Sequence, residues 1–310
     1  MKGKSTEGRG ESASDRDAPL SPLPSPLSPG RADRGTLYVV ATPIGNLGDL
    51  SSRACAVLGN VAVVLAEDTR RVRQLLNHFG LRTPARSLHE HNETRELPGL
   101  LARLAAGESL ALVSDAGTPV LADPGFRLVR ACRERGVPVL VVPGPSAVTA
   151  AVAVSGLAPQ PFTFAGFLPA RPGPRATALA ELAALGHTVV LFLSPHRLAG
   201  ELAACRDVLG ADREAALLAE LTKLYERCEL GTLASLAAWA SAAVPRGEYT
   251  LVVGPPIAAP PAEPDAASAA AALEAELARG LALPEARRAA ARRLGISRRQ
   301  LYDLLAAPRR

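Results

Sequence analysis

Lysine is rare in this chain, and the one that lies beyond its first few residues is a natural place to look for chemistry. Among 35 basic residues only Lys2, Lys4 and Lys223 are lysine, and the first two precede a Pro/Ser-rich stretch. A lysine releases its proton when desolvated and an arginine does not, so an isolated lysine among arginines is a candidate base or hydroxyl-orienting group. The plain alternative is a surface ion pair with Glu220 or Glu226. The second candidate is the acidic pair Glu67-Asp68, which follows a β-branched run. It could accept a hydrogen bond from a bound ligand or orient Arg70; alternatively Asp68 caps the helix that follows. His89 and His91 lie close in sequence but lack a third ligand at metal spacing, and Cys55, Cys132, Cys205 and Cys228 are scattered with no C-x-x-C pair. Reduced, mostly buried thiols and no metal are therefore expected.

These side chains need a scaffold, and the pattern from Thr36 onward supplies one. Short apolar runs at Leu37–Ala41, Val61–Ala66, Ala85–Leu88, Ser109–Val113 and Val137–Val142 alternate with helix-length segments. Strands alternating with helices predict right-handed crossovers and a mostly parallel sheet over residues 35–157. In such a sheet ligands gather beyond the carboxyl ends of the strands. The five loops there are Thr42 to Asp49, Glu67 to Arg70, His89 to Asn92, Ser114 to Pro119 and Pro143 to Ala147, and each is polar or backbone-permissive. Gly45, Gly117 and Gly144 allow close backbone approach, while neighbouring prolines restrict the loops, so a preformed cleft is expected. Neither G-x-x-x-x-G-K-[ST] nor G-x-G-x-x-G is present, so a site built around nucleotide phosphates is not expected.

After Pro159 strands and helices resume, but some strands follow one another without a helix, which predicts a second α/β domain at 158–256 with a mixed sheet. Residues 1–34 carry five prolines between Pro19 and Pro29 among Ser, Gly and charges, and are predicted to be a disordered tail. Residues 257–272 are Pro- and Ala-rich and are predicted to be a linker. The remainder, 273–310, reads as an apolar helix near Leu273–Leu283, then Pro284–Leu294, a Gly295-Ile296-Ser297 turn and Arg298–Leu305. Pro at a helix start and Ser before a second helix suit a small helix-turn-helix-like domain. This segment holds nine Arg and four acidic residues, a net of +5 that equals the charge of the whole 310-residue chain. Its basic surface predicts a polyanion contact through Arg292, Arg293, Arg298 and Arg299; an inert solvated face is the alternative. Arg70, Arg71 and Arg73, with Arg171 and Arg175, are further candidates for the phosphates of a polyanion.

Hydrophobic residues make up 48% of the chain and charged residues 21%, as expected of a folding globular body. The longest apolar runs, such as Val137 to Val142, fall far short of the roughly 20 residues of a membrane span, so no membrane association is expected. No apolar core of a secretory signal precedes the Pro/Ser-rich stretch, and a cytoplasmic location is expected.

In order along the chain, several segments resemble the bacterial small-subunit ribosomal RNA ribose methyltransferases, a family of the tetrapyrrole methylase fold superfamily. They are Thr42 to Asp49, Ala66 to Arg70, Val113 to Gly125, Pro143 to Ala147, Gly166-Phe167-Leu168-Pro169, Glu220 to Lys223 and Gly247-Glu248-Tyr249. The resemblance covers about residues 36–254, and the terminal helices fit the family's small tail domain. It implies a two-domain tetrapyrrole-methylase-like α/β fold with S-adenosyl-L-methionine bound between the domains. It also implies a homodimer and, as acceptor, a cytidine ribose of small-subunit (16S) rRNA in the assembled 30S subunit. Carried over, Thr42, Pro43, Ser114, Asp115, Ala116, Gly117 and Thr118 are donor-cleft candidates, as are Pro145, Ser146, Ala147, Phe167 and Leu168. The donor carries no phosphate, which agrees with the missing phosphate loops. One departure stands out: family members usually have Tyr-Glu before Ser-(Pro/Thr)-His-Arg, whereas this chain has Phe192-Leu193 before Ser194-Pro195-His196-Arg197. A same-fold methyltransferase of tetrapyrrole or corrinoid precursors and a ligand-sensing nucleic-acid-binding regulator remain the alternatives.

Overall fold

Strict alternation along the first strands divides their side chains between two cores. In the computed structural model, which describes residues 35–242, 245–256 and 264–306, the strands β1 (Leu37–Val40), β2 (Val63–Ala66), β3 (Ala85–Ser87), β4 (Leu110–Leu112) and β5 (Val139–Val142) form a parallel sheet in the order β3-β2-β4-β1-β5. Tyr38, Val40, Val64, Ala66 and Ala111 face α1 (Ser52–Asn60) and α2 (Thr69–His78). Leu37, Val63, Leu65, Leu110 and Leu112 face α3 (Glu90–Ala105) and α4 (Phe126–Glu134). Residues i and i+2 share a face because the side-chain period of a strand is two. The predicted tail at 1–34 lies outside the described residues.

The second sheet is mixed, as the missing crossovers predict. Its strands are β6 (Phe162–Phe167), β7 (Thr188–Leu193), β8 (Glu214–Ala219), β9 (Arg227–Thr232) and β10 (Tyr249–Val253), in the order β6-β7-β10-β8-β9. Only β6 and β7 run parallel. One face packs under α6 (Pro172–Ala183), α7 (Leu198–Leu209) and α8 (Leu233–Ala242). The opposite face, carrying Val190, Ala216, Leu218 and Val252, packs against Val148, Ala151 and Val152 of α5 (Ala147–Val154) and against Ile44. One apolar cluster is thus shared by both lobes. The antiparallel pairing also places Tyr249, at the start of β10, beside Leu193 and Ala219, at the ends of β7 and β8.

The chain divides into two units, between Pro255 and Pro256. The second comprises α9 (Ala266–Ala278), α10 (Leu283–Arg293) and α11 (Arg298–Ala306), packed around Ala269, Ala272, Ala290, Ala291 and Leu301. This corrects the predicted linker at 257–272 and the helix predicted near Leu273–Leu283: α9 begins at Ala266, where the Asp265 side chain accepts from the Ser268 amide. An Ala-rich run behind a capping Asp is strongly helical, because Ala pays least on entering a helix. The other predicted helices hold, with α11 opened by reciprocal bonds between Ser297 and Gln300. Cys132 and Cys205 are buried, whereas Cys228 on β9 is exposed.

Leu251, fully buried on β10 in the centre of the second sheet, supplies a direct test. Leu251→Ala is expected to lower unfolding free energy by about 2–5 kcal/mol in urea denaturation. A change within error would place β10 outside the core.

Candidate active site

Strand order explains how the loops of the first lobe become one wall. β1 lies between β4 and β5, so the loops following these three strands are neighbours. Thr42 and Gly117 exchange backbone hydrogen bonds of 2.9 and 3.0 Å. Thr42 Oγ1 donates to the Ser114 carbonyl (3.1 Å), Ser114 Oγ donates to the Gly117 carbonyl (3.0 Å), and Thr118 Oγ1 donates to the Pro145 carbonyl (3.3 Å). The Asp68 amide donates to Asp115 Oδ1 (3.0 Å), which ties in the loop after β2. Thr42 and Ser114 are buried and hold the wall in place, while Asp115, Ala116, Gly117, Thr118, Ser146 and Ala147 line a cavity of about 320 Å³. Pro43, Pro145 and Leu168 adjoin the lining residues Ile44, Ser146 and Phe167 in the chain, and of the three Leu168 is buried.

The loop after β4 continues along the cavity through Leu121, Ala122 and Asp123. Val120 and Ala122 both adopt left-handed backbone, with φ of 76° and 64°. Such strain, rare for a β-branched residue, persists only where the surroundings enforce it and concentrates at functional sites. Gly125 closes the loop at φ 116°, with Leu112 filling the space a Cβ would need.

The opposite wall comes from the second lobe. Phe192, Leu193, Ser194 and Pro195 line the cavity, as do Leu221, Glu248, Tyr249 and Thr250. The departure at 192–193 therefore gives an apolar wall: Phe192 lies edge-on to Phe164, with centroids 4.9 Å apart, and 5.4 Å from Phe167, which also lines the cavity. Ser194 is fixed from beneath. Its amide donates to the fully buried Glu201 (3.1 Å), whose other oxygen accepts from Arg197 (2.8 Å).

Lys223 stands behind this wall. Its Nζ donates to Glu220 Oε1 (2.8 Å) and Glu248 Oε2 (3.0 Å), and Glu248 lines the cavity. Burial alone would lower the lysine pKa, but its bonds to the two carboxylates outweigh this and hold it above the ordinary lysine value. The same contact holds Glu220 below the ordinary glutamate value. Lys223 thus keeps its proton and braces Glu248, which is the ion-pair alternative and not the arrangement of a base. Glu220 and Thr222 both have positive φ, and Gly45 of the first lobe is wedged against this loop.

The remaining candidates separate clearly. Asp68 caps α2 and pairs with Arg70 (2.8 Å), whose hydrogen bonds hold its carboxyl down at about 2. Glu67 is exposed and does not line the cavity, although its charge acts on Asp123, which does. Arg71, expected to meet RNA, lines the cavity and pairs with Asp115 at 3.8 Å. Arg73 and Arg171 are exposed and Arg175 is half-buried on α6. In the second unit Arg292, Arg298 and Arg299 are exposed, while Arg293 approaches the buried Glu276 at 3.7 Å.

Apolar walls with a few carboxylates and rigid backbone edges, and no glycine-rich anion cradle, fit a cationic, phosphate-free ligand the size of a nucleoside sulfonium. Asp115 and Glu248 would face its positive groups and Ile44, Phe192 and Leu221 its apolar parts.

This two-lobed fold, with its cavity at the carboxyl ends of a parallel sheet, belongs to the tetrapyrrole (corrin/porphyrin) methylase family, whose sequence profile matches residues 36–237. Within it, the chain is similar to the Ribosomal RNA small subunit methyltransferase I of Xylella fastidiosa (strain Temecula1 / ATCC 700964), 52% identical over 65% of this chain and 74% of the relative. The protein of that name from Synechocystis sp. (strain ATCC 27184 / PCC 6803 / Kazusa) is 42% identical over 87% of this chain and 97% of its own length. A solved structure of diphthine synthase shares the fold, with a TM-score of 0.58 at 17% identity over 71% of this chain and 89% of that one.

A Cβ at Gly45 would lie 2.4 Å from Lys223 Cγ and 2.8 Å from the Leu221 carbonyl. Gly45→Ala is therefore expected to displace the 221–223 loop and weaken S-adenosyl-L-methionine binding about tenfold or more in calorimetry, equivalent to ~1.4 kcal/mol. Unchanged affinity would show that this loop does not shape the cavity.

Proposed function

We propose that the protein transfers a methyl group from S-adenosyl-L-methionine to the 2′-hydroxyl of a cytidine ribose in small-subunit rRNA, acting in the cytoplasm on the assembled 30S subunit. The observation that carries this reading is the 42% to 52% identity with chains named for small-subunit rRNA methylation, one of them matched over 97% of its length. The cavity supports it, offering carboxylates and apolar walls where a phosphate-bearing cofactor would need donors.

When bound, the donor supplies an electrophilic methyl carbon. The chain's own part is to hold the ribose against it and exclude water, since a displacement that neutralises charge gains from positioning and desolvation. Arg71 would fix Asp115, and the Lys223–Glu248 pair would fix the facing wall. The second unit would grip rRNA through Arg287, Arg288, Arg292, Arg298 and Arg299, all exposed and without ion pairs among the described residues. RNA phosphates are the natural partners of such a surface. We also propose a homodimer, supported by an apolar sheet edge: Leu140 and Val141 on β5 are 39% and 61% exposed, and Val154 on the following helix is 56% exposed. Uncovered edges of this kind invite a partner.

Incubating the protein with tritiated donor and, separately, 30S subunits, free rRNA and tetrapyrroles tests the reading. Label in the subunit, mapped by mass spectrometry to a cytidine ribose, is the expected result; label in a tetrapyrrole would overturn it. Arg298→Gln with Arg299→Gln is expected to reduce the slope of log K against log salt for subunit binding by about 2, at unchanged donor affinity. An unaltered slope would remove α11 from the RNA contact.

A further inference from the structure

Among the described residues three carboxylates line the cavity and Glu220 stands behind its wall, and three of these four are occupied. Asp115 accepts from the Asp68 amide and pairs with Arg71, Glu248 pairs with Lys223, and Glu220, behind the wall, pairs with the same lysine. The fourth, Asp123, lines the cavity and has neither hydrogen bond nor ion pair among the described residues. It is carried on the loop between Val120 and Gly125, next to Ala122, whose φ of 64° is left-handed. An unpartnered, half-buried carboxylate in a preformed cavity is costly and needs a reason.

We propose that Asp123 is a catalytic residue that accepts the proton of the ribose hydroxyl as that oxygen is methylated. The proposal rests on the methyltransfer reading above. The hydroxyl loses its O–H bond and gains an O–C bond; the carbon–sulfur bond breaks with its electron pair remaining on sulfur. Positive charge on the donor and negative charge on Asp123 are replaced by a neutral thioether and a neutral carboxylic acid, which returns its proton to water.

The surroundings suit this role. Burial raises the Asp123 pKa most, and the charges of Glu67, after β2, and Asp115, after β4, raise it further, to about 7. The other charged and titratable groups on the cavity are Arg71, committed to Asp115, and Glu248, committed to Lys223, together with the buried Tyr249, whose oxygen accepts from Arg227 and from the Arg246 amide. A base works best when its pKa lies near the working pH.

Asp123→Asn tests the assignment. Turnover on 30S subunits is expected to fall about 100-fold or more, with donor affinity in calorimetry held within about threefold. Wild-type turnover should rise with pH through an inflection near 7 that the variant lacks. Glu67→Gln, which removes a like charge, should move that inflection to lower pH. A readout independent of activity follows from linkage. A carboxyl whose folded pKa is raised binds more protons folded than unfolded between about 4 and 7, so stability falls as pH rises through that window. The Asn variant escapes this loss, and its melting temperature relative to wild type should be higher at pH 8 than at pH 5.

Near wild-type turnover in Asp123→Asn would overturn the proposal. So would a loss of donor affinity parallel to the loss of turnover, which would make Asp123 a holder of the donor's cation, or a melting difference independent of pH. Wild-type protein that binds donor but leaves rRNA unlabelled would overturn the methyltransfer reading and this role with it. The binding and melting measurements keep that failure distinct from one confined to Asp123.

Discussion

The reciprocal hydrogen bonds between Thr42 and Gly117 are the constraint on which the site depends. Loops at the carboxyl ends of parallel strands are joined to their neighbours only by the strands beneath them, and left alone each would move separately. Crossing from the loop after β1 to the loop after β4 at a residue with φ 85°, this pair converts two of them into one surface. The Thr42 and Ser114 hydroxyls add bonds from inside, to the Ser114 carbonyl and to the same Gly117 carbonyl. Because these groups are buried, leaving any one unpaired costs on the order of 1–3 kcal/mol, so the arrangement is held as a unit. Asp115 and Asp123 inherit their positions from it.

Two kinds of anchor serve the facing wall. The Lys223 contacts work by charge: a half-buried ammonium ties Glu220 of the strained 220–222 turn to Glu248 at the start of β10. The Glu201 contact adds backbone geometry to charge, one fully buried carboxylate accepting from the Ser194 amide and pairing with Arg197, the residue that caps the start of α7. Neither Lys223 nor Glu201 lines the cavity, yet each fixes a residue that does, Glu248 and Ser194. This division, with committed side chains behind and uncommitted ones in front, is how a rigid fold presents a free carboxylate.

Much of the first lobe could be read from sequence because its signals are local. Strand periodicity, the Gly/Pro loops and the order of elements all follow from neighbouring residues, and Asp115, Ala116, Gly117, Thr118, Ser146 and Ala147 duly line the cavity. The second lobe was less accessible. A rule about strand carboxyl ends finds Leu193 to Pro195 and Leu221, but it does not find Glu248 to Thr250, which stand at the start of a strand. Only the antiparallel setting of β10 brings that start to the same end of the sheet, and pairing direction is a tertiary fact. Asp123 lay inside a motif but carried no local mark, since its isolation arises from partners that other carboxylates have taken. The Ala run at 266–272 was misjudged because proline just before it suggested extended chain, whereas Ala propensity behind the Asp265 cap prevails.

The shared packing of α5 and Ile44 on the second sheet also limits how anything enters. Ile44, Val148, Val190, Leu218 and Val252 are each less than 9% exposed within one continuous cluster. Swinging the halves apart as on a hinge would wet that whole seam, at a cost of about 25 cal/mol for each Å² uncovered. Traffic in and out must pass the rim instead, where Leu121 and Phe167 stand half in solvent. The doorway of this molecule is its margin, and its midline stays shut.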